Sequence, residues 1–270
     1  MPDIQTDVSD NALVTAVRAN LCDFFRYLGR SNPAGYFENE TFSHWQSSVP
    51  HPWFNGVLAS TFPTPKDDAF IKETIQYFLQ RKTSVFTWWL APHLDSTDWE
   101  EMLIKHGFGF SDDTPGMAVD LQTLNESIQK VDGFEIRVVQ DDASLRTWAQ
   151  VFTSGYGLPK DWESIVVESW GKMGFDLPIR NYIGYLNGEP VATSCLFLGG
   201  GAAGIYSVST LPDVRGKGIG AAITLRPLQE AREMGYRIGV LQSSDMGINV
   251  YKRLGFKHVC QLEHFYLSIK

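Results

Sequence analysis

From Phe134 to Val138 apolar and polar residues alternate, with Phe134, Ile136 and Val138 sharing one side. That is the period of a half-buried strand. Asp141 or Asp142 can cap a helix behind it, and Trp162, Ile165, Val166 and Trp170 fit the face of a second helix. Tyr182–Leu186 and Val191–Leu198 are β-rich runs joined through Asn187-Gly188, the strongest short hairpin signal. Gly199-Gly200-Gly201 then turns the chain into a strand at Ile205–Val208. Beyond it the period changes. Ala221, Leu225, Leu228 and Ala231 recur at helical spacing, with Arg226, Glu230, Arg232 and Glu233 between them. Gly235 suits the end of that helix. Ile238–Leu241 reads as a short strand, and Asp245 as the cap of a helix over Gly247–Leu254. Phe256–Cys260 and Leu262–Ile269 read as the strands that close the sheet.

Upstream the pattern is more helical. Leu13, Val17, Leu21, Phe24 and Leu28 form one stripe, followed later by a β-run at Val85–Leu90, a helix around Trp99–Lys105 and a β-run at Met117–Leu121. A polar stretch, Asn125–Gly133, parts the two halves. Mixed α/β architecture in two domains, 1–128 and 133–270, is therefore expected, and 270 residues suffice for both.

Composition narrows the class. Apolar residues make up 43 % and charged residues 20 %, the profile of a globular protein. No apolar run nears the ~20 residues that span a bilayer, and the N-terminal MPDIQTDVSD is too polar for a signal peptide. Three separated cysteines, Cys22, Cys195 and Cys260, fit reduced thiols and a cytoplasmic setting. The six histidines lack metal-ligand spacing, so no metal is expected. A net charge of −8 argues against nucleic acid as a partner and is compatible with a cationic acceptor.

The segment with chemistry in it is Tyr206–Gly220, YSVSTLPDVRGKGIG: strand, proline, basic glycine loop, helix. Gly216, Gly218 and Gly220 let backbone N–H groups converge without a Cβ in the way. The helix N-terminus adds unpaired N–H groups and the positive end of its dipole. Together they suit a pyrophosphate, with Arg215 and Lys217 either binding it or only screening charge at the rim. A phosphate loop of the G-x-x-x-x-G-K-[ST] type is absent. Gly216, Gly218 and Ala221 do fit a dinucleotide fingerprint, but no acid ends the strand at Ile238–Gln242 to hold a ribose.

The second half, roughly Phe134–Lys270, resembles the GNAT superfamily of N-acetyltransferases. Val208, Thr210, Pro212, Arg215, Gly216, Gly218, Ile219 and Gly220 match its V-x-[VT]-x-P-x-x-R-G-x-G-[IL]-G signature. Asn249, Tyr251, Gly255 and Phe256 match its N-x-[YF]-x-x-x-G-F. The resemblance implies a GNAT fold that binds acetyl-CoA. The strand ending at Val208, Ser209 and Thr210 would splay from its neighbour and take the pantetheine arm, and residues Arg215, Gly216, Lys217, Gly218, Ile219 and Gly220 would hold the pyrophosphate. It implies Tyr251 as the general acid that protonates the leaving thiolate, and Asn249 as a pantetheine ligand or a helix cap. The acceptor would be a small-molecule amine or a peptide, and a homodimer is compatible. A catalytically silent acyl-CoA-binding module is the competing reading. The family often carries a Glu on the strand before the loop; Ala203–Val208 has none, which leaves Glu168, Glu263, His264 or a water chain as base. Pro227 should kink the helix after the loop and orphan the Ile223 carbonyl.

The first half looks like a decayed copy. Leu103–Phe108, LIKHGF, echoes Tyr251–Phe256, YKRLGF, with Leu103 in place of the tyrosine. No R-x-x-G-x-G precedes Phe134; after Val85–Leu90 comes only Ala91-Pro92-His93-Leu94-Asp95. A tandem architecture with a degenerate GNAT-like first domain follows, the first domain shaping the acceptor pocket. Trp45, Trp53, Phe54, Trp88 and Trp89 are candidates for its wall or, more simply, for its core.

Overall fold

The computed structural model describes residues 3–30, 35–39, 42–47, 51–59, 64, 67–90, 97–110 and 114–269. The loop 91–95 lies outside them. The first half supplies α1 (Asp10–Arg30), β1 (Tyr36–Glu38), β2 (Phe42–Trp45), β3 (Gly56–Ala59), α2 (Asp67–Gln80), β4 (Val85–Leu90), α3 (Thr97–Lys105), β5 (Gly109–Phe110) and β6 (Thr114–Asp120). The second half supplies β7 (Phe134–Val138), α4 (Asp142–Tyr156), α5 (Glu163–Gly171), β8 (Ile179–Leu186), β9 (Glu189–Gly199), β10 (Ala202–Thr210) and α6 (Ile219–Glu233). It ends with β11 (Ile238–Gln242), α7 (Ile248–Arg253), β12 (Lys257–Leu262) and β13 (His264–Ser268).

The compact units do not divide where the polar linker suggests. Unit 1 is Met1–Phe24 with Pro115–Cys260; unit 2 is Phe25–Thr114 with Gln261–Lys270. Two strands explain the difference from the expected 1–128 and 133–270. β6 lies in the seven-stranded sheet β12-β6-β11-β10-β9-β8-β7, and β13 in the six-stranded sheet β1-β2-β3-β4-β13-β5. β6 pairs antiparallel with β11, Met117 opposite Leu241 and Asp120 opposite Ile238. β13, expected to close the second sheet, pairs antiparallel with β4, Phe265 opposite Trp88. Each sheet thus takes one strand from the other half of the chain. Alternation in a sequence specifies a strand and its buried side, not the sheet that receives it.

The start of α1 belongs to unit 1 for a packing reason. Leu13, Ala16 and Val17 meet Ala118, Ala202, Ile238 and Val240 on one face of its sheet. The other face carries α6 over Ile205, Leu241 and Leu254. In unit 2 the core is aromatic: Phe78, Phe86, Trp88, Trp99 and Phe265 are fully buried. Trp45, Phe54, Trp88 and Trp89 are buried as well, and Trp53 alone of the five wall candidates is exposed.

Local signals behave as their chemistry requires. Asp141 caps α4 in a reciprocal capping box with Ser144. α6 runs through Pro227 from Ile219 to Glu233, and the Ile223 carbonyl that Pro227 cannot serve accepts the Ser194 hydroxyl at 2.8 Å. Asp245 is not a cap: Gly247 occupies the N-cap of α7, and no side chain bonds there.

Candidate active site

β10 and β11 run parallel only from Ala203↔Gly239 to Ile205↔Leu241. β10 continues to Thr210 with no strand paired to it on that side among the described residues. On its other side β9 follows, with a register shift between Tyr206 and Ser209. Ser207 takes a left-handed φ of 53° there, the geometry of a bulge that re-aims the strand. The bulge is held by Thr193, whose hydroxyl donates to the Ser207 carbonyl at 2.9 Å and sits 2.8 Å from Ser209 Oγ. Backbone left unpaired by such parting can receive an extended ligand as a strand would.

The glycine loop closes the far end. A short 3-10 turn at Pro212–Val214 leads to Gly216 (φ 78°) and Gly218 (φ 88°), a region that penalises any residue with a Cβ. Gly218 is the N-cap of α6 and no side chain bonds that end. The N–H groups of Gly216, Lys217, Gly218, Ile219 and Gly220 have no acceptor among the described residues. A run of unbonded donors at the positive end of a helix of this length is an anion cradle.

The flanking cations differ. Arg215 points back into the protein, its Nε donating to the Thr210 carbonyl at 2.9 Å and a terminal nitrogen to the Gly155 carbonyl at 2.9 Å. It clips the loop to the end of β10 and the last turn of α4. Lys217 is exposed at the loop's edge.

Tyr251 is on α7, buried to 8 % exposure, and packs in the same apolar cluster as Val208 and Ile219. Burial pushes its phenol up to about 12. Gly247 makes room for the ring: a Cβ there would lie 2.8 Å from Tyr251 Cε2. Asn249 is exposed on the same helix and caps nothing, which removes the capping alternative. Ser209 is buried and turned toward Thr193, not toward the parted side.

One neighbour escapes the motifs. The Tyr156 hydroxyl, from the end of α4, donates to the Val208 carbonyl at 3.1 Å. Tyr156 is exposed as a residue, yet desolvation of its hydroxyl, and secondly the charge of Tyr251 nearby, push its phenol up, so two phenols lie near the end of β10. An aromatic in the last turn of the helix before Gly157 is the only sequence trace of this. Of the base candidates, Glu168 pairs with Lys172 at 3.0 Å one turn along α5, and Glu263 and His264 belong to unit 2. Among the described residues, no group of three or more His, Cys, Asp or Glu could hold a metal.

Residues 144–256 match the family model "Acetyltransferase (GNAT) family". They are a GNAT acetyltransferase domain. No curated protein matches the chain. Among solved structures, a GCN5-related N-acetyltransferase from Kribbella flavida is 17 % identical, with 92 % of this chain and 95 % of that one covered and a TM-score of 0.67. A tandem GNAT protein from the clavulanic acid biosynthesis pathway is 12 % identical over 98 % of this chain and 97 % of its own, with a TM-score of 0.60. At such identities the likeness is one of fold. It covers residues of both units.

Proposed function

We propose that the GNAT domain is an N-acyltransferase that moves an acetyl group from acetyl-CoA to a primary amine, with Tyr251 as general acid. The observation that carries this is the row of unbonded N–H groups from Gly216 to Gly220 at the end of a strand parted from its neighbour. A diphosphate fits the first and an extended arm fits the second. Acetyl-CoA supplies an acyl group already activated as a thioester.

The residues divide the work. Val208 and Thr210 offer backbone to the arm, and Ser209, which pairs with Thr193 of β9, braces the strand behind them; Gly216, Gly218, Ile219 and Gly220 offer N–H groups to the diphosphate. Lys217 adds charge at the rim, and Arg215 acts mainly by fixing the loop. Asn249, exposed on α7, bonds the arm in this reading. In the transfer a C–N bond forms and the C–S bond breaks. The sulfur takes the Tyr251 proton, and the proton lost by the amine nitrogen makes good the phenol. In water a thiol with pKa ~8.5 would not draw a proton from a phenol near 12. Here the leaving thiolate shares the desolvated setting that raises Tyr251, and desolvation raises its pKa too. The phenol meanwhile stays protonated at any physiological pH.

The test is thiol release with acetyl-CoA and a panel of primary amines, on the wild type and Tyr251→Phe. Transfer that falls ~10²–10⁴-fold in the variant, with the rise in Tm on adding acetyl-CoA retained, supports the reading. The absence of a carboxylate on β10 favours the silent module as second reading. Binding of acetyl-CoA with no amine acetylated would establish that one instead.

A further inference from the structure

Just past the last β10–β11 pair, Ile205↔Leu241, the chain places Tyr206 on one parting strand and Gln242 on the other. Ile205 and Leu241 face the α6 core, so by strand alternation Tyr206 and Gln242 face the α1 side. There the Tyr206 hydroxyl donates to Asn20 Oδ1 at 2.8 Å. Asn20 is fully buried, and its Nδ2 is surrounded by the carbonyls of Phe197, Gly199 and Ala202 at 3.3, 2.8 and 3.0 Å. Three acceptors around the nitrogen fix which end of the amide is oxygen. That in turn fixes Tyr206 as donor to Asn20 and leaves the phenolic oxygen with lone pairs to offer.

The rest of the cluster is shaped around this hydroxyl. Phe24 stacks on the Tyr206 ring, centroids 3.8 Å apart and planes 10° from parallel. Gly204 has no room for a side chain: a Cβ would lie 2.0 Å from Asn20 Oδ1 and 2.6 Å from Tyr206 Cε2. The Gln242 amide points one N–H at the Tyr206 hydroxyl, and this approach counters part of the burial that raises that phenol. The contact stays too long or too oblique to count as a closed bond, so among the described residues Nε2, sealed from solvent, has no well-made acceptor for its two N–H groups. A buried donor without an acceptor costs stability unless a ligand supplies one.

We propose that Tyr206 and Gln242 form the acceptor subsite at the mouth of the splay, with Asn20 as the positioning residue behind Tyr206. The Tyr206 oxygen accepts an N–H of the incoming amine and aims its lone pair. The Gln242 amide donates to a neutral oxygen on the same acceptor. The substrate class is therefore a primary amine carrying a nearby hydroxyl or carbonyl oxygen, such as an amino alcohol, amino sugar or amino-acid amide, rather than a bare polyamine. This rests on the transferase reading above.

The experiment compares matched probes differing by that oxygen: ethanolamine against propylamine, glucosamine against cyclohexylamine, and glycinamide against propylamine, with acetyl-CoA and the full chain. The wild type is expected to favour the oxygen-bearing partner at least ~10-fold in kcat/KM, the size of one well-placed hydrogen bond. Tyr206→Phe, which keeps the stacked ring, raises acceptor KM about as much. Gln242→Met lowers kcat/KM for the oxygen-bearing partner by about the same ~10-fold, so the two members of each pair become nearly equal substrates. Both keep the KM for acetyl-CoA. Asn20→Ala raises acceptor KM in a Tyr206 background and adds nothing in Tyr206→Phe, which a merely structural role would not produce. Wild-type transfer without the preference, or variants with unchanged acceptor KM, overturn the subsite and leave the transferase standing. No transfer to any amine by the wild type removes the transferase reading, and this inference with it.

Discussion

The two helices that end in Gly-Phe show the same backbone carrying different chemistry. At the end of α3 the Phe108 N–H bonds the Leu103 carbonyl at 3.1 Å, around Gly107 at φ 86°. At the end of α7 the Phe256 N–H bonds the Tyr251 carbonyl at 3.1 Å, around Gly255 at φ 100°. One has a fully buried leucine where the other has a buried phenol. The strands differ in the same sense. In unit 2, β3 and β4 stay paired from Gly56↔Thr87 to Ala59↔Leu90, the ends of both strands. In unit 1, β10 outruns its pairing with β11 by five residues, from Tyr206 to Thr210. A zipped pair offers no backbone to a ligand and a parted pair does. Among the described residues, unit 2 shows neither a parted strand pair nor a tyrosine at the helix end.

Strand exchange offers the hardest test of that comparison, because each unit depends on residues from the other half of the sequence. Phe265 on β13 is fully buried in the aromatic core of unit 2. Phe265→Ala should cost about 3–5 kcal/mol, although it lies at the far end of the chain from most of that core. Hydrogen exchange should accelerate across Val85–Leu90, where β13 pairs, and not across Ala203–Ile205. Equal acceleration in both sheets would mean that the units do not unfold separately.

Next in size is the helix behind the loop. Ser194→Ala leaves the Ile223 carbonyl without its donor, at a cost of about 1–3 kcal/mol. Pro227→Ala restores an N–H one turn on, so the double variant should recover most of the loss. A simple sum of the two effects in denaturant melts would show that the carbonyl finds another partner.

Gly218→Ala sharpens the contrast between parted and zipped pairs. A Cβ at φ 88° costs about 1–2 kcal/mol, and relief by turning the loop misaims the N–H groups. Affinity for acetyl-CoA in calorimetry should fall roughly 10-fold or more, since 1.4 kcal/mol is tenfold. Unchanged affinity would move the diphosphate away from this loop.

How much of this the sequence discloses follows from how local each feature is. The glycine loop and α6 are legible because conformation and period are written in adjacent residues. The hairpin at Asn187-Gly188 is legible for the same reason, and both residues are left-handed at φ 52° and 86°. Tyr156, Asn20 and Gln242 are not, because α4, α1 and β11 bring them together from separate stretches of chain. The exchange of β6 and β13 is hidden because the apolar residues of a strand mark it for burial without naming the sheet that receives it; Met117–Val119 of β6 are buried in succession. Asp245 misleads as a cap because it stands two residues before the N-cap that α7 uses.

The smallest expected effect is electrostatic and concerns the borrowed strand of unit 1. Arg237 holds Asp120 with two hydrogen bonds, Nε to Oδ1 at 2.5 Å and a terminal nitrogen to Oδ2 at 2.7 Å, beside the pairing of β6 with β11. The guanidinium keeps the Asp120 carboxyl below its usual range. A carboxylate whose folded pKa is depressed adds stability above its unfolded pKa, near 3.9, and loses it as pH falls through the folded value. The pair is partly open to solvent, with Arg237 29 % and Asp120 16 % exposed, so the gain is ~1 kcal/mol or less. Unit 2 has its own acid-sensitive carboxylate: Lys105, Lys72 and His106 hold Asp68 low. Wild-type melts will therefore soften in acid for two reasons. Asp120→Asn should remove only the part that hydrogen exchange places on Pro115–Asp120, flattening its pH dependence below pH 4 and leaving α2 and α3 unchanged. A response that persists on β6 in the variant would mean that another group, not this pair, ties the borrowed strand to its sheet.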